Sequence, residues 1–358
     1  MSQPTNANRP RILTGDTPTG KLHLGHWVGS VKRRVELQDT HECYFILANI
    51  HAFTTRANEP DAIRTDTLDI VRDHLAMGID PEKSAIFLQS EIPAIAELTF
   101  LFSMLLPFNR VMRNPTLKDE IKVKGLGDDY PFGFPLYAVG QTADILVFRP
   151  VGVPVGEDQV AHLELTREVA RKFNQLYCGV DGKVEDDDHV EAGGVFPVPN
   201  ADVGKVGRLM GIDGNNKMSK SLNNAIYISD TAKQVQKKVN KIYTGRQSAT
   251  EKGDPNNILM QYCEIFIPDK ERVAEIKDQY ARGADIGDGH IKQELGAAIN
   301  EMLEPMRERR AKHEGDDDYI IDILKSGTAK ANAIGEETLA MAKDAAGLGF
   351  FKRKLDIT

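Results

Sequence analysis

Two short runs in this sequence have residue types and spacing suited to phosphate chemistry. The first is Gly15-Asp-Thr-Pro-Thr-Gly-Lys21, leading into His23-Leu-Gly-His26. Pro18 and Gly20 shape a turn after a β-prone run, and the two histidines stand at i and i+3 where a helix should start. Backbone N–H groups at such a start point outward and attract anions. Gly25 leaves room for a ligand to approach the backbone. Imidazoles there, protonated or hydrogen-bonding, can stabilise charge developing on a phosphate during displacement. The second run is Lys217-Met-Ser-Lys-Ser221, after the loop Asp213-Gly-Asn-Asn216. Two lysines three apart with hydroxyls between them suit a polyphosphate, because ammonium groups act as point charges on its oxygens. Either run alone also reads as ordinary surface. Together in one chain, about 190 residues apart, they are far more specific. A third residue stands out: Asp144, an acid inside the apolar helical run Thr142-Ala-Asp-Ile-Leu146, either on a helix surface or aimed at a buried donor.

The elements that must hold these residues follow from periodicity. Arg11 to Thr14 is β-prone, Cys43 to Ala48 reads as a buried strand, and Ser84 to Gln89 as another. Helices are expected after His26, with Val28, Val31 and Val35 on one face, and over residues 61–78. This alternation predicts a parallel sheet with covering helices, an α/β core. From Glu91 to about Tyr177 the pattern is mostly helical, broken near Pro131–Pro135 and Pro150–Pro154. A second short β-like stretch runs from Gly207 to Gly211. After about residue 230 it is helical to the end. Residues 1–10 read as a disordered lead-in, and Glu185-Asp-Asp-Asp188 as an exposed acidic insertion.

Composition sets limits. The 358 residues suggest two domains. Lys and Arg number 45 against 53 Asp and Glu, a net charge of −8, which excludes a globally basic nucleic-acid coat but not a local basic face. Such a face is offered by Lys233, Lys237 and Lys241, at i, i+4 and i+8; a solvated helix face is the plainer alternative. Cys43, Cys178 and Cys263 are far apart without ligand spacing, which excludes a disulfide framework, a thiolate zinc site and a four-cysteine iron–sulfur cluster. No apolar run approaches the roughly 20 residues that span a bilayer, and Met1 to Pro10 lacks the apolar core of a secretory signal. A soluble protein of a reducing compartment is expected.

HLGH and an intact KMSKS resemble the two signature sequences of class I aminoacyl-tRNA synthetases. Tyr137-Ala-Val-Gly-Gln-Thr-Ala-Asp144, Pro154-Val-Gly-Glu-Asp-Gln159 and His162-Leu-Glu-Leu-Thr-Arg167 narrow the likeness to the tryptophanyl-tRNA synthetases. It runs from about Arg11 to Thr244, with a weaker helical match to the C-terminus. The resemblance implies a Rossmann-like catalytic core over 11–225 with a helical connecting insertion at about 105–205, a helical anticodon-recognising domain over 226–358, and a cytoplasmic homodimer. It implies ATP, L-tryptophan and tRNA(Trp) as substrates, with Mg2+ held mainly by the nucleotide phosphates, no metal site of the protein's own, and no membrane partner. The implied reaction forms tryptophanyl-adenylate, then transfers the amino acid to the tRNA.

Residue by residue, the resemblance assigns Thr17, Pro18 and Thr19 to the loop that meets ATP. Gly25 and His26 lie beneath adenine and ribose, and His23 faces the phosphates. Gly156, Glu157 and Asp158 match the turn at the ribose, and Leu209 and Met218 the backbone contacts to adenine. Lys217, Ser219, Lys220 and Ser221 form the mobile phosphate loop, with Lys118 a further lysine. Asp144 matches the acceptor for the indole N–H, a sensible partner because indole has one donor and no acceptor. Gln159 and Tyr137 match contacts to the ammonium end, with Gln141 one turn before Asp144; Leu13 and His51 match positions around the ring. Three rivals remain open: a tyrosyl-tRNA synthetase, a small nucleotidyltransferase that shares HxGH, and a non-catalytic paralogue that binds ATP, tryptophan or RNA.

Overall fold

The computed structural model describes residues 9–123, 125–155, 160–203, 209–220, 222–284 and 286–351. Five strands, β1 Arg11–Asp16, β2 Glu42–Leu47, β3 Ser84–Leu88, β4 Gly152–Val155 and β5 Asn200–Val203, form one parallel sheet in the order β3-β2-β1-β4-β5. The alternation expected from the first ninety residues is therefore present, and the fold is a Rossmann-like α/β core with a helical C-terminal region. Two strands were not anticipated. β4 lies in the stretch read as a proline break, and β5 precedes the run read as β-like. Each has only four residues, and Pro154 and Asp202 are poor strand formers. The register Gly152↔Asn200 to Val155↔Val203 comes from pairing with each other and not from local propensity.

Side chains alternate across the sheet. Ile12, Cys43, Phe45 and Leu47 enter the core on one face, and Leu13, Tyr44, Ile46 and Phe87 that on the other. The covering helix Pro60–Met77 begins with proline at its first turn and ends at Gly78, whose φ of 103° is left-handed. The final helix, Asp317–Ala345, lies along the edge strand β3. A Cβ on Gly327 would come within 2.0 Å of the Ile86 carbonyl, so only glycine permits this approach. The Leu88 N–H donates to Thr328 Oγ1 (3.4 Å), and Asn332 Nδ2 donates to the Glu91 carbonyl (2.7 Å), so polar groups of the edge find partners. Arg310, in helix Asp288–Ala311, donates through Nε to buried Asp73 (2.8 Å), joining the C-terminal helices to helix Pro60–Met77.

The acidic run at Glu185–Asp188 is mostly exposed, but Asp186 is anchored by Arg167 and Arg171. The lysine stretch forms helix Ala232–Val239, started by a capping box between Thr231 and Gln234. Lys233 and Lys237 are exposed on it, whereas Lys241 falls in the turn after its end. No described helix is long and apolar enough to cross a membrane.

Candidate active site

In a sheet of this order the direction in which successive strands are added reverses between β1 and β4, and ligands bind beyond the carboxyl ends of the strands at that point. A cavity of about 400 Å³ lies there. Leu13, Thr17, His26, His51, Tyr137, Gln141 and Asp144 all line it, so residues from four separate stretches of sequence meet in one place. Gly156, Glu157, Asp158, Gln159 and Ser221 lie outside the described residues.

The histidine run sits at one wall. His23 caps the short helix Leu24–His26: its Nδ1 accepts from the Gly25 N–H, and His26 Nδ1 accepts from the His23 N–H, each at 3.1 Å. An Nδ1 that accepts leaves the ring proton on Nε2, so both rings offer an Nε2–H donor. Burial, reinforced by neighbouring positive charge, lowers His23 to about 2; burial also lowers His26 to about 4, despite Asp16. Both imidazoles are therefore neutral at physiological pH, so each can act as a hydrogen-bond donor and not as a positive charge. Gly25 has a second reason to be glycine. A Cβ there would stand 2.9 Å from the His23 ring that caps it, and 3.5 Å from Met218 Cβ.

The second lysine run folds against the first loop. Lys220 Nζ donates to the Gly20 carbonyl (2.6 Å) and to Thr19 Oγ1 (3.2 Å). Burial lowers its pKa to about 8, against the pull of Asp16 and Asp66. Asn224 holds the turn closed: its Oδ1 accepts from the Ser219 N–H (2.7 Å) and its Nδ2 donates to Asp213 (3.0 Å). The Met218 N–H donates to the Leu209 carbonyl (3.0 Å), so the two residues assigned to adenine lie side by side. Lys217 is exposed. Pro18 is buried and Thr19 exposed. Lys118 is exposed on helix Pro115–Val123 and is not among the residues lining the cavity.

Beneath the loop, Asp16 at the end of β1 is paired with Arg34 and with His74 Nε2 (2.8 Å). Burial alone would raise its carboxyl, but the guanidinium and the ring outweigh it and hold Asp16 well below the usual carboxylate range. At the far wall, Asp144 is almost wholly buried. Gln89 Nε2 donates to its two oxygens at 2.8 and 2.9 Å, while Gln89 Oε1 accepts from the His51 N–H at 3.1 Å. Burial pushes the Asp144 carboxyl up to about 7, and Gln89 partly offsets this. The result is a carboxylate aimed into an enclosed space with a fixed donor behind it.

Several residues that line or brace the cavity were not singled out from the sequence: Asp16, Arg34, Gln89 and Glu120; His162, which also lines it, was met only as part of a motif. Gln89 and Asp16 did carry a signal, since each stands at or just past the carboxyl end of a strand, Asp16 on β1 at the reversal point and Gln89 after the edge strand β3. Arg34 and His162 looked like ordinary helix residues, because their partners lie 18 and 48 positions away.

Residues 5–304 match the family model described as tRNA synthetases class I (W and Y). The chain is 42% identical over 352 residues to the tryptophan–tRNA ligase of Lactococcus lactis subsp. lactis strain IL1403, covering 96% of this chain and 99% of that one. It is 41% identical to the tryptophan–tRNA ligase of Treponema pallidum strain Nichols, covering 94% and 97%. Among solved structures, the tryptophanyl-tRNA synthetase of Campylobacter jejuni complexed with ADP and tryptophan superposes with a TM-score of 0.79 at 30% identity, covering 94% of this chain and all of that one. A parallel sheet whose reversal point gathers both signature runs is the arrangement this likeness requires, and the chain belongs to the class I tRNA synthetases of the W and Y family.

Proposed function

We propose that the protein is a tryptophan–tRNA ligase, and the observation that carries this reading is Asp144. An enclosed carboxylate braced by Gln89, next to a phosphate-binding loop, selects a flat apolar side chain bearing a single N–H donor. In the first step the tryptophan carboxylate attacks the α-phosphate of ATP and pyrophosphate leaves. Neither reactant needs a strong base, so alignment and charge stabilisation supply the acceleration. The Nε2–H donors of His23 and His26 and the ammonium groups of Lys217 and Lys220 meet the phosphates. The carbonyl of the adenylate is then attacked by the terminal ribose hydroxyl of tRNA(Trp), releasing AMP. Magnesium carried by the nucleotide would supply further positive charge to the phosphates, beside Lys217, Lys220 and the two histidine donors. Among the described residues no cluster of three His, Cys, Asp or Glu side chains is placed to hold a metal, and the nearby Asp16 is already engaged by Arg34 and His74. Pyrophosphate exchange with each amino acid in turn tests the reading. Exchange with tryptophan alone is expected; exchange driven better by tyrosine would reject it.

The same reading places the catalytic core at 11–225, the anticodon-recognising helices at 226–358, and the protein in the cytoplasm. Lys233, Lys237 and Lys241 stand just after the lysine loop, at the junction of the two regions, and meet tRNA phosphate. Lys237→Glu with Lys241→Glu should raise the KM for tRNA and flatten its salt dependence while leaving tryptophan-dependent pyrophosphate exchange near normal. Aminoacylation unaltered across a salt series would return this face to solvent. The homodimer is formed through the apolar face that bears Phe100, Met104, Phe108 and Phe132, all strongly exposed in one subunit and backed by a groove reaching Ile50 and Phe53. Phe100→Glu with Met104→Glu should halve the mass seen by light scattering; an unchanged mass would move the contact elsewhere.

A further inference from the structure

Between the two walls of the cavity a directed chain of hydrogen bonds ends on a carboxylate. Asn114, nearly fully buried, accepts the Thr116 N–H on its Oδ1 (3.0 Å). Its amide is thereby oriented, and Nδ2 faces His162 Nδ1 at 3.2 Å and the Ala161 carbonyl at 3.4 Å. An amide nitrogen only donates, so His162 Nδ1 accepts and its proton sits on Nε2. That Nε2–H points at Tyr137 Oη, 3.4 Å away. The hydroxyl already accepts from His162, so its own proton is directed to its other partner, the Glu120 carboxylate. Each link is polarised the same way, and Glu120 stands at the receiving end, half-buried, on the lining of the same cavity.

The spacing gives this carboxylate a task. Tyr137 precedes Asp144 by seven residues on helix Gly133–Leu146, about 10 Å along its axis. This is close to the span of one tryptophan, from indole N–H to ammonium, with a hydrogen bond at each end. Asp144 takes the donor of the ring. The ammonium at the other end brings a full positive charge into a partly enclosed site, where a neutral hydroxyl or amide is a weak partner and a carboxylate a strong one. Glu120 lies in a charged helical segment, Lys118-Asp-Glu-Ile-Lys122, whose composition alone is that of solvated surface.

We propose that Glu120 is the counter-charge for the α-ammonium of the amino-acid substrate, positioned by the Asn114–His162–Tyr137 chain. The proposal rests on the tryptophan reading above, and its test keeps the two apart by using two inhibitors that each carry half of the substrate's polar end. Tryptamine has the indole and the ammonium but no carboxylate; indole-3-propionate has the indole and the carboxylate but no ammonium. Glu120→Gln keeps an acceptor for Tyr137 and removes only the charge. It should raise the tryptophan KM and the tryptamine inhibition constant about ten- to hundredfold, with indole-3-propionate and the ATP KM unchanged. Glu120→Asp should recover part of the loss. Asn114→Ala, which breaks the chain at its far end and removes no group assigned to the substrate, should show the same ligand-selective pattern more weakly, and serves as the second variant if Glu120→Gln does not fold. Equal weakening of both inhibitors would make Glu120 a structural residue, and no weakening of either would remove it from the site; both outcomes overturn the proposal. Failure of the unaltered protein to exchange pyrophosphate with tryptophan would instead overturn the substrate reading.

Discussion

Lys220→Ala is expected to slow adenylate formation on the order of a hundredfold, the loss typical of removing one preorganised donor from developing charge, with tryptophan affinity little changed. Lys220 is held now by the Gly20 carbonyl and Thr19 hydroxyl, two neutral acceptors at the edge of the histidine run. These are weaker partners for an ammonium than a phosphate whose charge grows as pyrophosphate leaves. The interaction is therefore stronger in the transition state than in the free protein, which is the condition for acceleration rather than mere binding. Its pKa also makes a prediction with a definite sign. Burial has lowered it to about 8, so the charged form is lost as pH rises through that value. The kcat/KM for ATP should fall on the alkaline side, with the limb weaker at saturating ATP because bound phosphate restores the proton. Lys220→Ala should lack this limb, and Lys220→Arg should keep a flat, partly active profile. Single-turnover adenylation at the unaltered rate in Lys220→Ala would remove the residue from the phosphate path.

The neighbouring histidines show where sequence stops being informative. Their spacing and their place after a strand were readable. Their protonation was not, since it depends on burial and on which backbone N–H each Nδ1 accepts. The same division holds for the sheet. β1, β2 and β3 are runs such as Cys43-Tyr-Phe-Ile-Leu47, whose apolar and aromatic content alone favours a strand buried on both faces. β4 and β5 are strands because each lies beside the other and β4 beside β1, a condition no local window contains. Around the cavity, Asp144, Tyr137 and Gln141 were reached through a resemblance. Gln89 and Glu120 were not, because their meaning lies in partners 55 and 17 residues distant.

The largest effect on substrate choice is expected at Asp144. Its carboxylate is enclosed, faces the cavity, and has Gln89 Nε2 behind it. Asp144→Ala leaves the indole N–H without an acceptor at a buried position, a loss of about 1–3 kcal/mol. That corresponds to roughly a ten- to hundredfold fall in kcat/KM for tryptophan. Asp144→Asn should be no better than alanine despite its similar shape. Gln89 presents a donor, so the asparagine oxygen turns toward it and the amide N–H₂ faces the indole N–H, donor against donor. An amino acid with sulfur in place of the indole N–H supplies the control. The unaltered enzyme should discriminate strongly against it, and Asp144→Ala should treat it and tryptophan nearly alike, because the discriminating contact is gone. The pH profile gives an independent reading. Burial has raised the carboxyl to about 7, so the ionised acceptor is lost as pH falls through that value. The kcat/KM for tryptophan should therefore decline on the acid side with a midpoint near 7, while His23 and His26, lowered to about 2 and about 4, contribute nothing there. Asp144→Ala should lack this acid limb. If its kcat/KM for tryptophan and its preference over the sulfur analogue both equal those of the unaltered enzyme, the indole ring is recognised by some other group and Asp144 serves only to hold Gln89.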